Sequence, residues 1–263
     1  MITTADGAPD DGSGGARVDA EDVYESNNAM YQDPALVEGV DYARRYRRDE
    51  LFSDGDPRTG VVDRTAVIAP HGGGIEFGTS ELCVAIAGRH PATLEVVPGT
   101  GTTYGYWMFE GLRTAGNAVL HVTATNCNDA VALSTCGGVL NALAVHGCTA
   151  ARANLPDNAE AVLVGGRNAT FKQRLLDAFA DAEIDAIDAA GNDALRGEEP
   201  DNIVNRTLLG MGAQLEITAP LRARMFDDNT RPRRKDTTTA VFWTVVAACR
   251  IAIGRVEVEQ PIL

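Results

Sequence analysis

The stretch Thr65 to Leu82 decides the fold prediction and reads Thr-Ala-Val-Ile-Ala-Pro-His-Gly-Gly-Gly-Ile-Glu-Phe-Gly-Thr-Ser-Glu-Leu. A short apolar run, Ala66 to Ala69, is closed by a proline, and three glycines follow His71 directly. This pattern is typical of a buried strand that ends in a loop. Ligands of open α/β sheets bind just outside the carboxyl ends of strands, so His71 and Glu76 are expected to face one point. A histidine and a carboxylate that meet there indicate a metal site.

Strand and helix patterns alternate along most of the chain on either side of this stretch. Such alternation predicts an α/β fold with a mixed, mostly parallel sheet and helices on both faces. Helices are predicted from Thr79 to Ala87, from Ala130 to Cys136, around Phe171 to Phe179 and from Thr237 to about Ile253, and strands at Ala66 to Ala69, Leu94 to Val97, Tyr104 to Phe109, Ala118 to Thr123, Asn141 to Val145, Ala161 to Val164 and Ala213 to Thr218.

Length and composition indicate a single folded domain. The chain has 263 residues, of which 44% are hydrophobic and 23% charged, which suits one domain with an ample core. Residues 1–24 are rich in Asp and Gly and short of large apolar groups, so they are predicted to be a disordered tail. Residues 25–263 are predicted to form one α/β domain.

Charge and targeting signals exclude several classes of function. The formal net charge is −14, which argues against general binding to nucleic acid or to an anionic membrane surface. Met1 to Arg17 lack the apolar core of a signal peptide, and no apolar run reaches the roughly 18 residues of a membrane span. A cytoplasmic protein is therefore expected, with its oligomeric state open.

The five cysteines form no closely spaced pair, and their number is odd. Free, buried thiols are the expected state, which fits a reducing compartment. One bridge among Cys127, Cys136 and Cys148 stays open.

Two of the four histidines share one context, because His71 and His146 each end an apolar strand directly before a glycine. Together with Glu76 they form a His₂Glu donor set, which suits Zn²⁺ better than Mg²⁺ or Ca²⁺ and leaves a fourth position for water. One Zn²⁺ per chain is predicted. His121 is the rival third ligand, and His90, in a loop beside a proline, is expected at the surface.

A hydrolytic zinc site needs a group that moves a proton. The segment Gln214 to Thr218 alternates polar and apolar residues, so Glu216 is expected to point into the cleft from a strand. Arginines that could bind a substrate carboxylate are Arg167, Arg206 and Arg222. The basic run Arg231 to Lys235 predicts a solvated loop or, alternatively, the rim of an acidic-substrate site.

Other catalytic classes lack their motifs. The triple glycine Gly72 to Gly74 has neither the lysine of a P-loop nor the spacing of a dinucleotide-binding motif. Gly-x-Ser-x-Gly and His-Glu-x-x-His do not occur, so a serine hydrolase or a zincin is not indicated.

An ordered series of motifs resembles the phage-type poly-γ-glutamate hydrolase family, which is similar in fold to the carboxypeptidase A zinc peptidases. The resemblance covers about Ala66 to Met225. The motifs are Pro70-His71-Gly72-Gly73-Gly74-Ile75-Glu76, Leu120-His121-Val122-Thr123-Ala124-Thr125, Ala144-Val145-His146-Gly147, Gly165-Gly166-Arg167-Asn168, Asn205-Arg206, Gln214-Leu215-Glu216-Ile217 and Leu221-Arg222.

The resemblance implies a zinc carboxypeptidase-like domain that hydrolyses γ-glutamyl amide bonds. It assigns His71, Glu76 and His146 as zinc ligands and Glu216 as the general base. Asn205-Arg206 is similar to the Asn-Arg pair that binds substrate carboxylate in carboxypeptidases, and Arg167 and His121 are grouped with it as substrate-binding residues. One departure is the spacing of four residues between the first histidine and the glutamate, where carboxypeptidases have two.

Three functions follow in order of preference. The first is a zinc-dependent hydrolase of poly-γ-glutamate or γ-glutamyl peptides. The net charge of −14 opposes a polyanionic substrate unless the cleft is locally basic, which keeps a carboxypeptidase-like deacylase of small N-acyl amino acids as the alternative. A non-catalytic binding protein of the same family is the third.

Overall fold

The computed structural model describes residues 22–48 and 64–260. Seven strands form one sheet in the order β1-β3-β2-β4-β7-β5-β6. Strands β3, β2, β4 and β7 run parallel, whereas β1 and the pair β5 and β6 run opposite to their neighbours β3 and β7. The strands are β1 Tyr42–Arg47, β2 Thr65–Gly73, β3 Gly105–Gly111, β4 Asn141–Cys148, β5 Val162–Gly165, β6 Ala186–Asp188 and β7 Ala213–Thr218.

Seven α-helices accompany the sheet within the described ranges. Four of them begin with a side-chain cap: Asn168, for example, accepts a hydrogen bond from the backbone N–H of Phe171 at the start of α4. The helices are α1 Asn27–Tyr31, α2 Thr79–Ile86, α3 Ala130–Gly137, α4 Ala169–Asp181, α5 Ala219–Arg224, α6 Arg231–Arg234 and α7 Ala240–Glu259.

Alternate residues of the central strands enter two different hydrophobic cores. Val67 and Leu143 pack on the face covered by α2, α4 and α7. Their neighbours Ile68 and Ala144 pack on the opposite face with Trp107 and residues of α3. This division follows from the period of two along a strand, and it confirms the predicted mixed, mostly parallel sheet with helices on both faces.

Two predicted strands are wrong. Leu94 to Val97 forms only an isolated bridge between Arg89 and Val96, because Leu94 has a positive φ of 61°, which no extended strand allows. Ala118 to Thr123 instead contains a 3₁₀ turn, Asn117–Leu120, that begins after Gly116 with φ 72°.

The cysteine prediction is confirmed, since all five cysteines are free and buried. Most of the predicted tail, residues 1–21, lies outside the described residues. The end of the predicted tail is described: Asp22 makes a side-chain hydrogen bond to His121, and Tyr24 makes one to Asp33. Across residues 22–48 and 64–260, none of the helices is both long and apolar enough to cross a membrane.

Candidate functional site

The ligand loop, which connects His71 to Glu76, leaves β2 at an irregularity in the sheet. The register between β2 and β3 shifts between Ala69 and Gly72, where Pro70 has no N–H to donate to the ladder. A bulge of this kind re-aims the side chains at a strand end, here His71. Arg234, which is buried, donates to the carbonyl of Gly73 at 2.8 Å, so this member of the basic run supports the loop.

Three candidate metal ligands converge next to this bulge. His71 Nδ1 lies 3.0 Å from Glu76 Oε1 and 3.1 Å from His146 Nδ1, and His146 Nδ1 lies 3.7 Å from Glu76 Oε2. Ligands bonded to one tetrahedral zinc at 2.0–2.1 Å are about 3.3 Å apart. The three donors therefore have the separation that such an ion requires.

Hydrogen bonds around the donors set their chemical state. His71 Nε2 lies 2.8 Å from the carbonyl of Val122, which can only accept, so Nε2 carries a proton and Nδ1 is the nitrogen that faces Glu76 and His146. The N–H of Gly147 donates to Glu76 Oε2 at 2.8 Å and fixes that carboxylate against β4.

Electrostatics favour a neutral imidazole at His146 and a carboxylate at Glu76. Burial, reinforced by the charge of His71, lowers the pKa of His146 to about 3. Burial acts to raise the pKa of Glu76, but the charge and hydrogen bond of His71 outweigh it and lower that pKa to about 2. These are the protonation states in which the two groups bind a metal.

His121 is the alternative third member of the cluster, because one of its ring nitrogens lies within 4.8 Å of ligand atoms of His71 and Glu76. Its ring lies over that of His71 with centroids 4.0 Å apart and 32° between planes. Its Nδ1 donates to Asp22 Oδ1 at 2.8 Å. We prefer His146 as the third ligand, because its ring meets His71 edge-on at 62° and its Nδ1 is at ligand distance.

Glu216 lies beside the ligands on the next parallel strand. The register pairs His146 of β4 with Glu216 of β7. Glu216 is buried, and Gln214 Nε2 donates to its Oε1 at 3.3 Å. Burial and the nearby charge of Glu76 raise the pKa of Glu216 well above its usual value, against the opposing charges of Arg152 and Arg222. A buried carboxyl of this kind can take up and release a proton.

Arg222 is a structural anchor beneath the site. Its guanidinium donates to the carbonyls of Phe77, Cys148 and Ile217 at 2.8, 3.3 and 3.0 Å. Phe77 and Ile217 directly follow Glu76 and Glu216, and Cys148 lies two residues after His146. A Cβ on Gly147 would lie 2.4 Å from the Arg222 Cζ, so only glycine lets the guanidinium approach β4 this closely.

The ligands and Glu216 line a cleft of about 350 Å³, together with His121. The other predicted substrate-binding residues, Arg206, Asn205 and Arg167, do not line it. Arg206 is half exposed and pairs with Asp201 at 3.4 Å. Asn205 is buried, with its amide N–H groups bonded to the carbonyls of Gly197 and Glu199 and its oxygen accepting from the backbone N–H groups of Arg167 and Gly212. Their substrate-binding role stays a prediction.

Two residues of the site escaped the sequence reasoning. Arg152 lines the cleft, six residues after His146, and that proximity in sequence was the available signal. Asp22 bonds His121 and also the N–H of Thr123, at 2.6 Å. No sequence pattern links residues that lie about a hundred positions apart.

The chain is similar in sequence to known proteins. The family model for poly-gamma-glutamate hydrolase matches residues 56–248. The SPbeta prophage-derived UPF0714 protein YoqZ of Bacillus subtilis (strain 168) is 31% identical over 189 residues, covering 72% of this chain and 61% of YoqZ. The UPF0714 protein YndL of the same organism is 29% identical over 184 residues, covering 68% of this chain and 65% of YndL. The chain thus spans less than two thirds of the length of these two curated relatives.

Solved structures match over nearly the whole chain. A bacteriophage poly-gamma-glutamate hydrolase superimposes with a TM-score of 0.74 at 27% identity, covering 91% of this chain and 100% of that one. YndL, in a form described as apo and zinc-free, superimposes with a TM-score of 0.72 at 24% identity, covering 90% of this chain and 99% of that one. The fold is the zinc carboxypeptidase-like α/β fold that the sequence predicts. Because the family model spans well over half of the chain, the protein belongs to the poly-gamma-glutamate hydrolase family.

Proposed function

We propose that the protein is a zinc-dependent amidohydrolase that cleaves γ-glutamyl amide bonds, with one Zn²⁺ per chain held by His71, Glu76 and His146. The observation that carries this proposal is the convergence of two imidazole nitrogens and one carboxylate at 3.0, 3.1 and 3.7 Å. Two nitrogens and one carboxylate suit Zn²⁺, whereas Mg²⁺ and Ca²⁺ prefer oxygen ligands. The 24% match to zinc-free YndL supports the fold alone, so the metal assignment rests on these donors.

Family membership and the phage hydrolase match support the γ-glutamyl amide as the bond that is cleaved. Bound Zn²⁺ supplies a Lewis acid that polarises the scissile carbonyl and acidifies water. Glu216 then accepts the proton of the attacking water and returns it to the leaving nitrogen. Gln214 holds the Glu216 carboxylate in place through the hydrogen bond to Oε1.

His121 is assigned to the substrate. Its Nδ1 donates to Asp22, so the unprotonated Nε2 is left to accept a hydrogen bond from a substrate amide. Arg206, Asn205 and Arg167 do not line the cleft, so no step of the proposed reaction is assigned to them.

The test is metal content by elemental analysis of the wild type, His146→Ala and His90→Ala, with hydrolysis of poly-γ-glutamate measured on the same samples. His90 lies outside the cleft, beside Trp243, so His90→Ala is the matched control. We expect about one zinc per chain in the wild type and the control, and loss of both zinc and activity in His146→Ala.

Other outcomes would overturn the proposal. A wild type that binds no divalent metal when zinc is supplied would remove the zinc mechanism. Zinc binding with hydrolysis of N-acyl amino acids but not of γ-glutamyl bonds would assign the deacylase function. Zinc binding without any amidase activity would assign a binding role.

A further inference from the structure

Among the described residues, one cation that lines the cleft has no partner for its charged group. Among the described residues that line the cleft, Arg152 is the only arginine or lysine. Its guanidinium makes no hydrogen bond or ion pair with any of residues 22–48 and 64–260, in contrast to Arg222, which is bonded to three carbonyls. An unpaired guanidinium in a cleft is free to bind an anion.

The backbone of Arg152 is fixed although its side chain is not. Its N–H donates to Thr149 Oγ1 at 3.2 Å, and its carbonyl accepts from Asn192 Nδ2 at 2.7 Å. The arginine therefore projects from an anchored turn, which reduces the ordering that a bound anion would have to impose.

Apart from Arg152 and the histidines, the ionisable side chains among the described residues of the cleft are acidic. Asp193 and Glu199 also line the cleft, and Asp193 already pairs with Arg196 at 2.9 Å. Acidic groups there repel a carboxylate, whereas the planar fork of Arg152 can bind one through two parallel hydrogen bonds. Arg152 and Glu216 line the same cleft, and the positive charge of Arg152 acts to lower the pKa of Glu216 against burial and the charge of Glu76.

We propose that Arg152 binds the α-carboxylate of a γ-linked glutamate unit next to the scissile amide, and that it is the residue that makes the cleft specific for γ-glutamyl substrates. This inference rests on the proposed function. Each γ-linked unit carries one free α-carboxylate, so a single guanidinium matches one unit. It also assigns to Arg152 the role that the sequence had suggested for Arg206 and Arg167.

The test compares three substrates in the zinc-loaded wild type and in Arg152→Met. The first is γ-glutamylglutamate, and in each of the other two one unit is replaced by 4-aminobutyrate, which lacks the α-carboxylate. We expect the wild type to discriminate against at least one analogue by about 10- to 100-fold in kcat/KM, the range for a charged hydrogen-bonded pair. Arg152→Met should lose that discrimination, and Arg152→Lys should recover part of it. Arg255→Met, on α7 and paired with Asp181, is the control.

A fall in kcat/KM that is equal for all three substrates in Arg152→Met would overturn the inference. Calorimetric binding of L-glutamate and of 4-aminobutyrate gives a readout that does not depend on turnover. If the wild type cleaves no γ-glutamyl bond, the proposed function fails. The role of Arg152 in binding a carboxylate would still be supported if L-glutamate binds the wild type more tightly than Arg152→Met. Equal binding of L-glutamate to both proteins would overturn that role.

Discussion

Replacing Arg222 by lysine should remove hydrogen bonds that hold the candidate metal site in place while keeping the positive charge. Arg222 is buried and joins the ends of β4 and β7 to the ligand loop through three carbonyls. Lysine has all its donors on one nitrogen and cannot reach three carbonyls spread around a planar fork. If lysine keeps one bond and loses two, each worth about 1.5 kcal/mol or more for a charged donor, the free energy of unfolding falls by about 3 kcal/mol.

The same substitution should weaken metal binding. Each of the three carbonyls belongs to a residue within two positions of Glu76, His146 or Glu216, so movement of any one shifts a ligand or the base. Loss of residues that orient metal ligands typically costs about 10- to 100-fold in metal affinity. We expect zinc affinity to fall by a similar factor in Arg222→Lys.

Urea unfolding of metal-free protein and competition of the metal-loaded protein with a zinc chelator measure the two effects separately. Arg224→Lys is the control, because Arg224 lies on the same helix, is largely exposed and pairs with Glu160. Surface changes of this kind stay within about 0.5 kcal/mol. An Arg222→Lys protein as stable as Arg224→Lys would refute the role of the three hydrogen bonds. Lower stability with unchanged zinc affinity would show that Arg222 supports the fold without positioning the ligands.

Two further predictions concern zinc and salt. Zinc at about 100 times its Kd should stabilise the folded protein by about 2.7 kcal/mol, which raises Tm by roughly 5–10 °C for a chain of this size. Scanning calorimetry with zinc and with a chelator measures this shift in Tm. Glu76→Gln should abolish the shift. Because the net charge is −14 and Glu199 lines the cleft, kcat/KM for long poly-γ-glutamate should rise as salt increases from about 0.01 to 0.15 M. The value for γ-glutamylglutamate should rise less, and equal salt responses would contradict the repulsion.

The convergence of the candidate metal ligands was predictable, because the information for it is local. A histidine that ends an apolar strand before a glycine can be recognised in a few residues, and two such strands in a parallel sheet bring their carboxyl ends to one edge. Glu216 was predictable from the alternation around Leu215. Neither inference needs the order of strands, although that order decides which residues become neighbours.

The residues that line the cleft away from the candidate ligands were not predictable, because their positions depend on how loops fold. Asn205 and Arg206 stand together in sequence, yet Asn205 uses its amide to brace the segment from Gly197 to Glu199. Arg152 has no motif around it, and only the packing of its turn against Asn192 places it at the cleft. Contacts such as Asp22 with His121, 99 positions apart, leave no mark on either local sequence.

Strand order also places the proposed base, Glu216, beside the candidate ligands. His71, His146 and Glu216 stand on β2, β4 and β7, three adjacent parallel strands. Neighbouring strands lie about 4.8 Å apart. The side chains of His71 and His146 converge at the ends of β2 and β4, where their Nδ1 atoms approach to 3.1 Å. The register between β4 and β7 is continuous from Leu143 to Cys148. Glu216 is thus registered with His146 on the neighbouring strand, which is consistent with its proposed role as the base beside the ligand cluster.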